Sequence, residues 1–152
     1  NIVGIQSQLW SEKVNGAKAM EYILLPKLLG YAERAWAQEP NWSLASDSAK
    51  SWSQYLVDWS GFANLLGQRE LKRLTYYAGG FQFRVPPPGV VLASGKIQAN
   101  TQFPGITIKY TTDGSEPTLN SKTYIKAFEP IGNVRLKAFI GTVGSRTINI
   151  KK

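Results

Sequence analysis

The sequence contains no cysteine, no histidine and a single methionine among its 152 residues. The absence of cysteine excludes a disulfide framework, a thiol nucleophile and a thiolate metal site. Without histidine, the chain can form neither a Ser-His-Asp triad nor an imidazole-bound zinc site. Chemistry in this chain therefore depends on carboxylates, lysines, tyrosines and the five tryptophans. The sequence predicts no metal ion and no other cofactor.

Long apolar runs are also missing. No segment approaches the roughly 20 apolar residues that a membrane-spanning helix needs, so we expect no membrane span. The chain begins with Asn1 and has no basic segment before an apolar one, so no signal peptide is indicated. Because the sequence opens directly in a β-type run, we expect it to be cut from a longer chain. The hydrophobic share of 43% and the aromatic share of 12% are typical of a globular protein.

Acidic residues are few, and the shortage is uneven along the chain. Eighteen lysines and arginines stand against 10 acidic residues, which gives a net charge of +8. Most of the excess lies in residues 86–152, where the basic residues are spread singly, as in Arg135-Leu136-Lys137-Ala138. This alternation is typical of the solvated face of a strand. We therefore predict no nucleic-acid partner, although a basic patch that binds nucleic acid is the competing interpretation.

The first half of the chain has mainly helical periodicity. Apolar residues recur every three or four positions over residues 17–38 and again over residues 48–66, which predicts two amphipathic stripes. Pro26 must kink the first stripe or begin a second helix, and Gly67 is well placed to cap the end of the second stripe. Before both stripes, residues 2–9 suit a short buried strand.

From Arg84 onward the periodicity changes. Residues 86–89 (PPPG) form a stiff, non-helical connector. The runs that follow predict six or seven short strands in a small antiparallel, immunoglobulin-like sandwich; the clearest are residues 90–93, 96–99, 106–112, 134–140 and 147–150. All five tryptophans precede the connector. The sequence thus predicts an α+β chain with two separate cores, in residues 1–83 and 84–152.

Trp10 and Glu12 form the first candidate site. If they keep the alternation of a strand, both side chains project to the same side. An indole face packs against the apolar face of a sugar, and a carboxylate accepts hydrogen bonds from sugar hydroxyls. The competing interpretation, which spacing alone favours, is a tryptophan in a core beside a solvated glutamate.

Two other groups of charged residues are better explained as structural. Glu33 and Arg34 are adjacent, so on a helix they do not face each other, and each is expected to form a supporting ion pair elsewhere. Asp113 and Glu116 flank an Asp-Gly turn. Two carboxylates are few for a calcium loop, and a structural turn is favoured.

Taken in order, five segments resemble the C-terminal end of a family 20 glycoside hydrolase, a β-N-acetylhexosaminidase. The first four are similar to the last strand and helix of that family's (β/α)₈ barrel and to the segment after them: residues 8–12 (QLWSE), 22–29 (YILLPKLL), 32–36 (AERAW) and 84–89 (RVPPPG). Residues 108–118 (IKYTTDGSEPT) resemble the small β-sandwich domain appended to many bacterial members. The resemblance covers nearly the whole chain.

The resemblance implies an enzyme that removes terminal, non-reducing N-acetylhexosamine residues from glycans with retention of configuration. In such an enzyme Trp10 forms a wall of the sugar pocket and Glu12 binds the sugar hydroxyls. Residues 1–83 correspond to the end of the catalytic barrel with its trailing helices, and residues 84–152 to the sandwich. The family's usual setting implies a periplasmic, cell-surface or secreted protein.

The resemblance also implies that the catalytic residues lie elsewhere. In the family, a neighbouring Asp-Glu pair on an earlier strand supplies the general acid and orients the substrate's acetamido group, which acts as the nucleophile. No Asp-Glu dipeptide exists in this sequence. We therefore expect no catalytic residue in this chain and no hydrolase activity from the chain alone.

A non-catalytic carbohydrate-binding or adhesion module is the alternative function. Exposed, coplanar aromatic residues on the sandwich would favour it, and the candidates are Phe103, Tyr110, Tyr124, Phe128 and Phe139. A further expectation concerns the helices. Trp36, Trp52 and Trp59 lie on stripes suited to packing against a barrel, so in isolation they either bury against each other or drive self-association.

Overall fold

Four α-helices and seven short strands occupy separate halves of the chain in a computed structural model, which describes residues 3–150. The chain divides into two units, Asn1–Phe83 and Arg84–Lys152. The first, which we call the helical unit, contains all the α-helices, and the second, the β unit, contains all the strands among the described residues.

The first helical stripe forms two helices, α1 (Ala17–Leu24) and α2 (Lys27–Trp36). Pro26 lies between them, after a cis peptide bond from Leu25. Proline has no N–H with which to continue a helical ladder, and its ring clashes with the preceding turn. The prediction that Pro26 divides this stripe is confirmed.

The longest helix, α3, spans Ser48–Leu65. Asp47 caps its beginning, and one oxygen of its carboxylate accepts hydrogen bonds from the N–H groups of Ala49 and Lys50, at 2.9 and 3.2 Å. These bonds satisfy two of the N–H groups that have no partner within a helix. Asp47 thereby fixes where the second stripe begins.

The predicted cap at Gly67 is wrong. The helical backbone continues through Gly67 as a π-helical turn, Leu66–Glu70, and then as α4 (Leu71–Leu74). Leu71 is fully buried, and Gly67 itself is buried. The apolar side chains on both sides of the glycine are buried, and this burial favours continuation of the helix. It outweighs the weak local preference of glycine for a helix end.

The strand predicted for residues 2–9 is not formed over its described part, residues 3–9. A strand needs a neighbour to pair its backbone groups, and no other strand exists among the described residues of the helical unit. Residue 2 lies outside the described residues. A hydrogen bond of 2.6 Å from the hydroxyl of Tyr31 to the carbonyl of Ile5 nevertheless connects this segment to α2.

The β unit contains two antiparallel sheets. Strands β1 and β2 form a hairpin, and the other five form a sheet in the order β4-β3-β5-β6, with β7 also paired to β5. The strands are β1 (Gly89–Ala93), β2 (Lys96–Asn100), β3 (Thr107–Thr111), β4 (Lys122–Thr123), β5 (Val134–Ile140), β6 (Val143–Gly144) and β7 (Ile148–Ile150). The five clearest predicted runs correspond to strands. The two-residue strands β4 and β6 had not been located, because two residues carry no periodicity.

The core of the β unit lies between the two sheets. Ile97 of β2 packs against Ile108, Val134 and Leu136 of the larger sheet. The backbone of Ile97 also exchanges hydrogen bonds with that of Phe128, at 2.8 and 3.3 Å, which connects β2 to a segment outside the hairpin. The antiparallel arrangement expected for this half of the chain is therefore present.

Within the described residues, none of the helices combines the length and the hydropathy that crossing a membrane requires.

Candidate functional site

The Trp10 and Glu12 side chains are exposed, and 77% of the Trp10 surface is accessible. Neither makes a hydrogen bond or an ion pair within residues 3–150. The interpretation of Trp10 as a core residue is therefore wrong for this structure. The predicted contact of both residues with a sugar stays a prediction.

The backbone around Glu12 forms a turn. The N–H of Val14 donates to the carbonyl of Ser11 at 3.0 Å, so Glu12 occupies the second position of a four-residue turn. The strand alternation that would direct Glu12 to the same side as Trp10 therefore ends before Glu12. No strand among residues 3–83 pairs with this segment, so no ladder of hydrogen bonds keeps its backbone extended.

Glu33 and Arg34 are exposed on α2, and neither forms an ion pair within the described part of the chain. The supporting ion pairs expected for them are absent there. Glu33 lies instead at the edge of an open groove of about 290 Å³, between α2 and the end of α3, lined mainly by apolar side chains such as Trp36 and Phe62.

The Asp113 segment is a structural turn. One carboxylate oxygen of Asp113 accepts hydrogen bonds from the N–H and the hydroxyl of Ser115, at 2.9 and 2.6 Å. The hydroxyl of Thr111 donates to the carbonyl of Ser115 at 2.6 Å. The hydrogen bonds from Ser115 lower the pKa of Asp113, because they stabilise its charged form. The structural interpretation of this turn is confirmed.

Glu116 connects the turn to strand β5. Its carboxylate accepts hydrogen bonds from the ammonium of Lys137, at 2.8 Å, and from the hydroxyl of Thr147, and Arg135 lies 3.6 Å away. The hydrogen bonds from Lys137 and Thr147 lower the pKa of Glu116. Both carboxylates of the turn are thus occupied by donors of the chain itself. Among residues 3–150, no cluster of acidic residues could hold a metal ion.

Three basic residues of the β unit have polar partners on the outer face of the larger sheet. Arg135 and Lys137 contact Glu116, and the ammonium of Lys109 donates to the hydroxyl of Thr123 at 2.8 Å. The arrangement resembles an ordinary solvated face, which was the favoured interpretation. The expected absence of a nucleic-acid partner stays a prediction.

The aromatic residues of the β unit give no exposed platform. All five candidate rings are buried or half-buried: Phe103, Tyr110, Tyr124, Phe128 and Phe139. Tyr110 and Phe128 stack with their ring centroids 4.6 Å apart beside the core. Exposed, coplanar aromatic residues, which would have favoured a carbohydrate-binding module, are therefore absent from the described residues of the β unit.

An aromatic groove in the helical unit had not been identified from the sequence. It is lined by Trp42, Ser48, Ser51, Trp52 and Tyr55 and has a volume of about 340 Å³. The spacing of Trp52 and Tyr55 indicates neighbours on one helix face. Trp42 belongs to a separate 3₁₀ turn, Asn41–Leu44, and its packing on α3 has no signal in sequence periodicity.

Two segments of the chain match known protein families. Residues 1–39 match the catalytic domain of glycosyl hydrolase family 20. Residues 70–147 match the chitobiase/beta-hexosaminidase C-terminal domain, over slightly more than half of the chain. The chain therefore belongs to the chitobiase/beta-hexosaminidase C-terminal domain family. The resemblance to family 20 glycoside hydrolases is confirmed.

Three individual proteins illustrate the relationship. The N,N'-diacetylchitobiase of Vibrio harveyi is 37% identical over 151 residues, which cover 93% of this chain and 16% of that protein. The Beta-hexosaminidase of Vibrio vulnificus is 24% identical over 158 residues, covering 87% of this chain and 18% of that protein. The Beta-hexosaminidase B of Pseudoalteromonas piscicida is 41% identical over 69 residues, covering 44% and 8%. The chain thus spans less than a fifth of the length of these curated relatives.

Proposed function

We propose that the chain is the C-terminal part of a glycoside hydrolase that removes terminal, non-reducing N-acetylhexosamine residues from glycans. The observation that carries the proposal is the order of the two family matches, catalytic domain over residues 1–39 and C-terminal domain over residues 70–147. Two relatives that align over most of this chain are named N,N'-diacetylchitobiase and Beta-hexosaminidase. The names of these relatives support the choice of sugar.

In the proposed enzyme, Trp10 and Glu12 bind the terminal sugar. The indole of Trp10 packs against the apolar face of the pyranose ring, and the carboxylate of Glu12 accepts hydrogen bonds from its hydroxyls. Both side chains are exposed and have no hydrogen-bond partner among residues 3–150, so both are available to a ligand. The similarity of residues 8–12 to the last barrel strand of the family supports this role, because binding sites of (β/α)₈ barrels lie at the C-terminal ends of strands.

The proposed mechanism is retaining and substrate-assisted. The carbonyl oxygen of the substrate's own acetamido group attacks the anomeric carbon, while a carboxylic acid protonates the departing glycosidic oxygen. Water then opens the cyclic intermediate with retention of configuration. The acid and the residue that orients the acetamido group form an adjacent Asp-Glu pair in this family, and this sequence has no such pair. We therefore infer that the 152-residue chain alone has no hydrolase activity.

The proposal is tested by hydrolysis of a chromogenic N-acetyl-β-glucosaminide. The longer protein that carries this chain is expected to hydrolyse it, and the purified 152-residue chain is expected to stay at the background rate. In the longer protein, Glu12→Gln is expected to lower kcat/KM about tenfold to a hundredfold, because it removes a charged acceptor from sugar hydroxyls.

Glu33→Gln is the matched control, because Glu33 is also an exposed glutamate of the helical unit without an ion pair in the described residues. It should leave kcat/KM unchanged. Turnover by the chain alone would overturn the inactivity. If the longer protein shows no turnover, the proposed activity is overturned. If the E12Q variant has an unaltered kcat/KM, the proposed role of Glu12 is overturned.

A further inference from the structure

The groove of Trp42, Ser48, Ser51, Trp52 and Tyr55, which we call the α3 groove, lies where the 3₁₀ turn Asn41–Leu44 packs against the first half of α3. Its volume of about 340 Å³ is at the lower end of the range for sites that bind small molecules. Most of its lining is the aromatic surface of three side chains. Nothing in the proposed hydrolysis uses these residues.

The three rings of the α3 groove hold one another in place. Trp42 meets Tyr55 edge to face, with centroids 5.4 Å apart and planes at 80°. Trp52 lies against the same tyrosine at 5.2 Å, with planes only 31° apart. Trp52 is still 61% exposed, so most of its surface is accessible to a ligand. The rings therefore form a preorganised aromatic wall that loses little conformational entropy on binding.

Polar contacts fix the position of Trp42. Its indole N–H donates to a carboxylate oxygen of Asp58 at 2.8 Å, and its carbonyl accepts a hydrogen bond of 2.7 Å from the hydroxyl of Ser51. The Asp58 carboxylate lies outside the groove lining. The hydroxyl of Ser48 makes no hydrogen bond within the described residues, and so it can donate to a ligand or accept from one.

The chemistry of the lining selects a neutral ligand with one apolar face. None of the five residues that line the groove is charged, so an ionic ligand would lose hydration without gaining a counter-charge. A flat aliphatic face packs well on an indole, and equatorial hydroxyls at its rim can pair with Ser48 and Ser51. A pyranose ring has both properties.

We propose that the α3 groove binds an N-acetylhexosamine residue of a glycan, through stacking on Trp52 and hydrogen bonds to Ser48. It uses different side chains from Trp10 and Glu12 and takes no part in bond cleavage. The choice of N-acetylhexosamine over other neutral pyranoses rests on the proposed function, whereas the neutral, stacking character of the ligand rests on the groove itself.

The experiment is an NMR titration of the 152-residue chain with the β-1,4-linked disaccharide of N-acetylglucosamine. The five tryptophans give five indole N–H signals, and each can be assigned by its single Trp→Phe substitution. We expect the signals of Trp52 and Trp42 to shift together and to saturate with one Kd, while that of Trp36 stays in place. Sorbitol, which has hydroxyls but no ring face, should shift neither signal.

Variants distinguish stacking from an unspecific effect of sugar. Trp52→Ala should raise Kd about tenfold or more, and Trp52→Phe, which keeps a ring, should retain part of the affinity. Trp36→Ala is the matched control, because Trp36 is 89% exposed and lies outside the groove; it should leave Kd unchanged. Since Trp52 is largely exposed, its substitution should leave the far-ultraviolet circular dichroism spectrum unaltered.

The proposal is overturned if the Trp52 and Trp42 signals stay in place up to about 50 mM disaccharide, which saturates a site with a millimolar Kd. It is equally overturned if W52A binds as tightly as the unaltered chain. Because the titration measures binding and not turnover, its result is independent of whether the longer protein hydrolyses glycosides. If the longer protein has no activity, the proposed function is overturned. A positive titration would still support ligand binding in the α3 groove.

Discussion

The carboxylate of Glu116 joins three segments of the β unit that are far apart in sequence. Glu116 itself follows β3, Lys137 and Arg135 belong to β5, and Thr147 precedes β7. Because the side chain of Glu116 is half exposed, water weakens the long-range Coulomb attraction between its carboxylate and the charges of Lys137 and Arg135. The charge-assisted hydrogen bonds from Lys137 and Thr147 therefore carry most of the stabilisation.

Substitution of Glu116 is expected to make stability depend on pH in a defined direction. The folded chain holds the pKa of Glu116 below its ordinary value of 4.5. Its contribution is thus fully present above pH 4.5 and is lost as the pH falls through the lower, folded pKa. Glu116→Gln should lower the free energy of unfolding by about 1 kcal/mol at pH 7 and by less below pH 4.

Chemical denaturation followed by far-ultraviolet circular dichroism measures the free energy of unfolding at pH 7 and below pH 4. Glu129→Gln is the matched control, since Glu129 is exposed in the same unit and makes no ion pair within residues 3–150. It should change the free energy of unfolding by less than about 0.5 kcal/mol at either pH. An E116Q deficit that does not shrink in acid would contradict the assigned cause.

At the scale of secondary structure, the successful predictions rest on strong local signals. Pro26 divides the first stripe because proline cannot continue a helix, and the alternation in β5 places Val134, Leu136 and Ala138 in the core while Arg135 and Lys137 face outward. Each signal acts within a few residues. For this reason the fold of the β unit was largely predictable from its sequence.

The features that the sequence did not predict correctly share one physical cause: each depends on contacts between residues that are distant in sequence. Gly67 was expected to end a helix, but buried leucines on both sides continue it. Residues 3–9 have strand character and no neighbouring strand among the described residues. The α3 groove requires Trp42 to meet Tyr55 across 13 positions of sequence. No local pattern encodes such contacts.

The contact between the two sheets of the β unit depends on Ile97. This side chain is fully buried and packs against Ile108, Val134 and Leu136. Ile97→Ala is expected to lower the free energy of unfolding by about 3 kcal/mol, since it leaves a cavity between the sheets. All five tryptophans lie in the helical unit, so circular dichroism, and not tryptophan fluorescence, must report the transition.

Ile125→Ala provides the control for this loss. Ile125 belongs to the same unit and is 86% exposed, so its truncation removes little buried surface. We expect it to change the free energy of unfolding by no more than about 0.5 kcal/mol. Equal effects of I97A and I125A would show that the two sheets do not share a core.

At the scale of the whole molecule, the two units differ in how they bury their apolar residues. In the β unit a closed set of side chains forms the core between two sheets. In the helical unit, α1 and α2 contain no fully buried residue, and large apolar side chains stay exposed on them, including Met20, Leu28 and Trp36. Such a surface favours contact with further protein.

This exposure leads us to expect self-association of the 152-residue chain. Of the two alternatives expected from the sequence, burial of Trp36, Trp52 and Trp59 against each other does not occur, because all three are exposed. Trp36 lines the open groove between α2 and the end of α3. A second copy that buries this apolar surface gains the free energy of removing it from water. Sedimentation velocity at two concentrations about tenfold apart should therefore show a larger mean mass at the higher concentration.

Trp36→Ser should reduce this concentration dependence, because it removes the exposed indole from the lining of the groove and adds a polar group there. Ile125→Ser is the control, since Ile125 is comparably exposed but lies in the β unit. It should leave the association unchanged. A chain that sediments as a single monomeric species at both concentrations, or a W36S variant that associates as strongly as the unaltered chain, would show that the exposed face of α2 does not mediate contact between copies.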